Sequence, residues 1–283
     1  MGDNGRVEPP LELANDRFTV TVAPDAGGRL AQLAIDGTEL LIGPHDVPSD
    51  LRLTDGSPAP TAWGAYPMVP WAGRIRHGRF AFRDATYQLP INFGEHAIHG
   101  VGFTSAWDVE DVSPTATRLR LDLPADDRWP FGGHVVQEIG LEDTALVLTM
   151  EVTATDRAMP VAFGWHPWFR TPRALDFHPA RMYRKDADGI AVDELVEVPP
   201  GPWDDCFTNT LPVALDIDGV ALQLTSDCTH WVVYDQRSHA TCVEPQTGPP
   251  DAFTIAPRVL EPGESHAAWF RIAAADQPLP TGR

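Results

Sequence analysis

Five separated stretches of the chain carry residues able to move protons or to grip hydroxyl groups. Glu244 closes the alternating run Ala240-Thr241-Cys242-Val243 and stands immediately before Pro245. A residue before proline is held near extended backbone, so this acid is expected at the mouth of a strand, with Pro245, Gly248, Pro249 and Pro250 stopping regular pairing beyond it. Such a carboxylate can serve as a general base, or it can be an ordinary solvated strand-end acid. His166 lies in Gly-Trp-His-Pro-Trp, beside Trp165 and Trp168. Indoles offer flat surfaces for stacking a sugar ring and a low-dielectric setting for a proton donor; a core histidine satisfied by one carbonyl would look the same in sequence. His99 precedes Gly100, whose missing side chain would let backbone come close to a ligand. Arg74 can donate several hydrogen bonds to hydroxyls. Asp204 and Asp205, next to Cys206 and Phe207, are candidates for binding paired hydroxyls, or are solvated acids in a turn. His96 and His99 have a His-x-x-His spacing, but no third ligand stands at a fixed distance, so no metal site is expected.

Other common enzyme chemistries lack their residues in this chain. No serine lies in a Gly-x-Ser-x-Gly elbow, no cysteine has a nucleophile's context, and no phosphate-binding glycine loop follows a strand. What remains is acid–base chemistry on a neutral, polyhydroxylated molecule.

The elements that must position these groups read as strands. Apolar and polar residues alternate with period two over 18–22, 30–35, 39–42, 80–82, 87–89, 107–112, 119–123, 134–141 and 145–153, and again over 213–217, 220–225, 231–234, 240–243 and 267–272. Asp36-Gly37 and Asp218-Gly219 are strong hairpin signals. No window has helical periodicity with proper start and stop signals. With 28 prolines and 23 glycines spread through the connections, the expected class is all-β, a large antiparallel β-sandwich of two packed sheets. The stretches 66–79, 92–103, 163–170 and 203–207 break the alternation and read as unusually apolar and aromatic loops. Trp63, Trp71, Trp129, Trp231 and Trp269 are expected in the core. No repeat or linker divides residues 1–283, so a single domain is expected, fraying at about 1–10 and 277–283.

Composition narrows the partners. The formal net charge is −19, and Lys185 is the single lysine. So acidic a chain repels nucleic acid and anionic membranes, and disfavours an anionic substrate unless arginines are locally focused. Cys206, Cys228 and Cys242 are odd in number and form no Cys-x-x-Cys pair, which fits reduced thiols in a cytoplasmic protein. The N-terminal residues lack a signal peptide's order, and no apolar run is long enough to span a membrane.

Taken in order, the segments resemble those of the aldose 1-epimerase (galactose mutarotase) family. The family's arginine motif is matched by Ala72-Gly73-Arg74-Ile75 with Gly78–Phe80, its Leu-His-Gly by Ile98-His99-Gly100, and its histidine motif by His166-Pro167-Trp168-Phe169. Its sugar-binding acid corresponds to Asp204 in Asp204-Asp205-Cys206-Phe207, and its Glu-x-Gln to Glu244-Pro245-Gln246. The resemblance implies a galactose mutarotase-like supersandwich that interconverts the α and β anomers of a free aldose such as glucose or galactose, without cofactor or metal, as a monomer or homodimer. Glu244 would be the base that takes the C1 hydroxyl proton, and His166 the acid that protonates the ring oxygen. Arg74, His99, Asp204, Gln246 and Trp165 would bind the sugar. At ordinary pKa values of ~4.3 and ~6.5, Glu244 would start ionised and roughly a quarter of His166 protonated at neutral pH. Burial is expected to raise the Glu244 pKa, with Arg74 limiting the rise. Gly73 stands where many members have asparagine, Val101 where a second glycine is common, and Trp168 where tyrosine is frequent. Two other functions fit the same fold: a hexose-6-phosphate 1-epimerase, using Arg74, Arg76 and Arg79 as its basic cluster, and a non-catalytic sugar-binding protein.

Overall fold

The computed structural model describes residues 9–275; the fraying expected at 1–8 and 277–283 falls outside them. Two large antiparallel sheets face each other. The first has 11 strands, in the order Leu11–Ala14, Phe18–Ala23, Arg29–Ile35, Ala65–Met68, Gly164–Arg170, Ala240–Gln246, His230–Tyr234, Asp204–Thr208, Arg181–Lys185 and Ala191–Val196, with Thr38–Glu39 pairing off Arg29–Ile35. The second has eight, in the order Asp108–Val112, Ala116–Asp122, His134–Leu141, Ala145–Thr153, Ser265–Ala274, Val220–Ser226, Val213–Ile217 and Ala174–Asp176. The Asp36-Gly37 hairpin forms as its dipeptide demands, with φ of 51° and 83° at the two positions.

The space between the sheets is filled from both inner faces. Trp165 and Trp231 of the first sheet lie 6.0 and 6.2 Å from Phe270 of the second, ring centre to ring centre. One polar tie crosses the core: Trp165 Nε1 donates to Gln137 Oε1 at 3.1 Å, and Gln137 Nε2 donates to the Gly28 carbonyl at 2.7 Å. Burying each such aromatic stabilises by about 1.5–3 kcal/mol before packing terms. Trp63, Trp71, Trp129 and Trp231 are buried as expected, whereas Trp269 is 37% exposed, because it sits on the outer face of the second sheet.

Three of the stretches expected to be loops contribute strands to the first sheet: Ala65–Met68 from the start of 66–79, Gly164–Arg170 and Asp204–Thr208. Pro245 does not end its strand either, since Ala240–Gln246 pairs through it, with Trp231 opposite Pro245. The reason is burial on two sides. Every residue from Gly164 to Phe169 and from Ala240 to Gln246 is buried, so polarity does not alternate even though the side chains do. The ladder between these two strands is formed at Gly164–Gln246 and again from Trp168–Cys242 to Arg170–Ala240, in unchanged register. The gap spans Pro167 and Pro245, neither of which can donate a backbone hydrogen bond.

Trp165 therefore belongs to the core and not to a ligand site. Trp165→Phe is expected to cost about 1–3 kcal/mol, since it leaves Gln137 Oε1 buried and unpaired. Denaturant unfolding reads this directly, and an unchanged midpoint would contradict the account of the cross-sheet tie.

Candidate active site

The unchanged register across the proline gap sets His166 directly opposite Glu244. The same row runs on through neighbouring strands, from Cys206 to Val232 to Glu244 on one side, and from His166 to Tyr66 on the other. Because side chains alternate along a strand, His166 and Trp168 share one face while Trp165 faces the opposite way. The shared face is the outer side of the sheet, and a cavity opens on it. Its walls include Arg74, His99, His166, Asp204, Glu244 and Gln246, the six polar residues that the sequence motifs mark for catalysis and sugar binding. Trp165, placed with them by sequence, is not among its walls and is fully buried. Trp168 supplies the indole instead.

His166 Nε2 lies 3.3 Å from Glu244 Oε1, and the other carboxylate oxygen accepts from Gln246 Nε2 at 3.2 Å. Gln246 thus acts on the carboxylate as well as facing the cavity. The imidazole is stacked between Tyr66 at 4.7 Å and Trp168 at 5.6 Å, with interplanar angles of 26° and 10°. It cannot rotate without displacing one of them. Both members of the pair are nearly sealed from solvent, at 7% and 3% exposure.

Burial penalises the charged form of each partner. Glu244 is pushed well above the ordinary carboxylate range, first by burial and then by the nearby Asp204 charge, while donation from Gln246 and the charge of Arg74 pull it back. His166 is lowered to about 3, chiefly by burial. A quarter-protonated histidine facing an ionised glutamate, as ordinary pKa values would give, does not survive this environment. Burial thus favours the neutral form of the pair over two separated charges.

The remaining groups surround this pair. His99 sits at φ 60° with its ring edge-on to His166, 5.1 Å away. The Gly73 amide donates to His99 Nδ1 at 3.3 Å, which leaves Nε2 as the protonated nitrogen. Gly100 does not bring backbone to a ligand as expected: a Cβ there would lie 2.0 Å from the Val69 carbonyl oxygen, so glycine serves the close approach of two loops. Arg74 Cζ lies 5.4 Å from the Phe93 ring centre, and no carboxylate pairs with its guanidinium among the described residues. Asp204 is approached by Lys185, whose Nζ lies 3.5 Å from Asp204 Oδ2 and 3.3 Å from Asp205 Oδ1. Both acids line the cavity. His96 does not join His99: its Nδ1 accepts from the His77 amide at 3.1 Å, outside the cavity, so the His-x-x-His spacing builds nothing.

Tyr66, Phe93, Lys185 and Arg237 are cavity walls that the sequence motifs miss. Lys185 carries a signal, being the chain's one lysine; Tyr66 and Phe93 lie in the apolar, aromatic stretches 66–79 and 92–103 but outside their motifs, and Arg237 lies in a stretch with no pattern of its own. Arg237 is occupied, its Nε donating to the Tyr234 hydroxyl at 2.9 Å and its guanidinium pairing with Asp50 at 2.9 Å.

The family profile of aldose 1-epimerases matches residues 9–204. The chain belongs to the aldose 1-epimerase family. The family match ends at Asp204, so Glu244 and Gln246 enter the site through the geometry above. An uncharacterized Escherichia coli K12 protein, YihR, is 26% identical over 296 residues, covering 93% of this chain and 92% of its own. The GalM/aldose epimerase homologue of C. elegans superposes with a TM-score of 0.78 at 16% identity, over 94% of this chain and 98% of that one. The galactose 1-epimerase of Lactobacillus acidophilus NCFM gives 0.75 at 17% identity, over 93% of each chain. At these identities the two structures share the fold, a β-sandwich of large antiparallel sheets.

Within the family, Gly73 in place of the frequent asparagine has a local cause. Its φ is 67°, and a Cβ there would lie 2.8 Å from Pro250 Cβ. Pro250 fills the space that a side chain at position 73 would need. Gly73→Asn alone is expected to cost about 1–3 kcal/mol through overpacking. Combining it with Pro250→Gly should recover most of that loss, and thermal unfolding of the single and double variants that showed no such coupling would rule the explanation out.

Proposed function

We propose that this chain is an aldose 1-epimerase that opens and recloses the ring of a free aldose, using Glu244 and His166 as its proton-transfer pair. The observation that carries the proposal is the 3.3 Å approach of His166 Nε2 to Glu244 Oε1 at the floor of a cavity ringed by Arg74, His99, Asp204 and Gln246. Binding alone needs no such pair; anomer exchange needs both a base and an acid.

The proton count closes without help from solvent. Shifting the pair's one proton to His166 leaves Glu244 ionised. The carboxylate takes the C1 hydroxyl proton as the imidazolium delivers its own to the ring oxygen, and the C1–O5 bond breaks to give the open aldehyde. Rotation about C1–C2 presents the other carbonyl face. Reclosure returns one proton to the pair and one to the new C1 hydroxyl. Arg74, protonated His99 Nε2, Asp204 and the Gln246 amide supply donors and acceptors for the hydroxyls, and a single β-sandwich unit carries the whole site. Each positioned acid or base is worth about 10²–10⁴ in rate, ample for a reaction that already proceeds in water.

The substrate is a free sugar and not its 6-phosphate. Of the basic cluster that a phosphate would require, Arg74 alone lines the cavity; Arg76 is committed to Asp186 and to Asp188, the latter at 2.7 Å, and neither it nor Arg79 is a wall. Lys185 and Arg237, which do line it, are each paired with carboxylates.

Polarimetry on freshly dissolved α-glucose, α-galactose, other aldoses and their 6-phosphates is the direct test. Acceleration of at least one free sugar is expected, and none with any of them would end the proposal. Glu244→Gln should lower kcat by about 10²–10⁴ while leaving calorimetric sugar binding largely intact; retained turnover would remove Glu244 from the mechanism. The pair works only while it holds one proton. With His166 lowered to about 3, the second proton arrives far into acid, so the rate should stay level through the ordinary histidine range near pH ~6.5. On the alkaline side the rate falls when the shared proton is lost, above the usual carboxylate range. An acidic limb centred near ~6.5 would show a freely titrating imidazole and contradict the shared-proton account.

A further inference from the structure

A third donor lies beside the acid–base pair and takes no part in the chemistry above. Cys242 precedes Glu244 by two residues on the same strand, so its thiol points to the same face of the sheet. The Cys242 sulfur, a ring nitrogen of His166 and a carboxylate oxygen of Glu244 all lie within 4.8 Å of one another. All three residues are buried. His166 Nδ1 has no hydrogen-bond partner, so beyond its approach to Glu244 the ring is uncommitted.

We propose that His166, Cys242 and Glu244 form an inhibitory site for a thiophilic divalent cation, with zinc the best fit. Sulfur, nitrogen and oxygen donors together suit zinc, whereas magnesium and calcium favour all-oxygen shells. Zinc bonds of ~2.0–2.3 Å in a tetrahedron place donor atoms roughly 3.5 Å apart; Glu244 already lies 3.3 Å from the stacked His166 ring, so rotations of the Cys242 and Glu244 side chains by about an ångström complete the set. The fourth position faces the cavity, open to water or a sugar hydroxyl.

Charge balance supports occupancy in so buried a place. The incoming dication displaces two protons, one from the thiol and the one held by the His166–Glu244 pair. Thiolate, carboxylate and neutral imidazole then cancel its charge, so no net charge is buried. Metal in this site ties up the acid and the base at once. It stops turnover without unfolding the chain, and a chelator reverses it.

The experiment uses the full chain after chelator treatment. Cadmium alone is titrated in, and its ultraviolet thiolate charge-transfer band is followed. One equivalent is expected to produce the band in the native chain and in Cys206→Ser, and to produce none in Cys242→Ser. No band in the native chain, or an undiminished band in Cys242→Ser, overturns the proposal. A second arm adds zinc alone to the polarimetric assay: inhibition should be reversed by chelator, and Cys242→Ser, with turnover near native, should need about 100-fold more zinc, at least the loss that even a ligand's supporting partners cause. Equal sensitivity of native and variant would also overturn it. The inhibition arm rests on the reading of the site as a mutarotase; the cadmium titration does not, so failure of the one is distinguishable from failure of the other.

Discussion

The structure turns on strand register at the centre of the first sheet. His166 and Glu244 come from segments 78 positions apart, and nothing in the local sequence of either obliges them to meet. They meet because Gly164–Arg170 and Ala240–Gln246 are antiparallel neighbours whose pairing keeps one register on both sides of a proline-interrupted ladder. A slip of one residue would turn His166 to the core and bring Trp165 to the cavity. The cross-sheet packing of Trp165 and Trp231 against Phe270 opposes that slip, since those aromatics fit only the space between the sheets. Core packing thus fixes the geometry of the His166–Glu244 pair at a distance of one strand thickness.

The same burial that fixes the pair sets its electrostatics. A carboxylate and an imidazole exposed to water would sit as independent charges near their ordinary pKa values. Packed against Tyr66 and Trp168, the pair is biased towards its neutral form, which the low dielectric favours over two separated charges. Gln246 steadies one oxygen of the carboxylate, and the Gly73 amide fixes the tautomer of His99. The site's donors are therefore set before a ligand arrives, and little ordering is left to do on binding.

Much of this is legible in the residue pattern, and the failures share a cause. Strands exposed on one face alternate cleanly, and the alternation over 134–141, 145–153 and 213–217 has the bounds the structure gives. The strands that carry the site are buried on both faces, one by the core and the other by the pocket floor, so Gly164–Arg170 and Ala240–Gln246 look irregular or truncated in sequence. That double burial also explains the error over Trp165: a flanking indole is visible in sequence, but the side it faces is decided by register. The polar site residues are visible because five short motifs occur in one order. Tyr66, Phe93 and Arg237 belong to no motif and come to light only when the walls of the cavity are assembled.

Lys185 has a consequence beyond its ion pairs. The ring opening proposed above would expose an aldehyde, and aldehydes condense with free amines to form imines that rearrange into lasting adducts. A chain with 20 arginines for one lysine offers such a reaction a single ε-amine. That amine stands at the wall of the cavity in which that carbonyl would form, yet its nitrogen is directed at the Asp204 and Asp205 carboxylates and at the Asp204 carbonyl. A nitrogen engaged by three oxygens is poorly placed to attack a carbonyl. In the proposed reaction, the surroundings that tether Lys185 would guard the site against glycation by the open-chain intermediate.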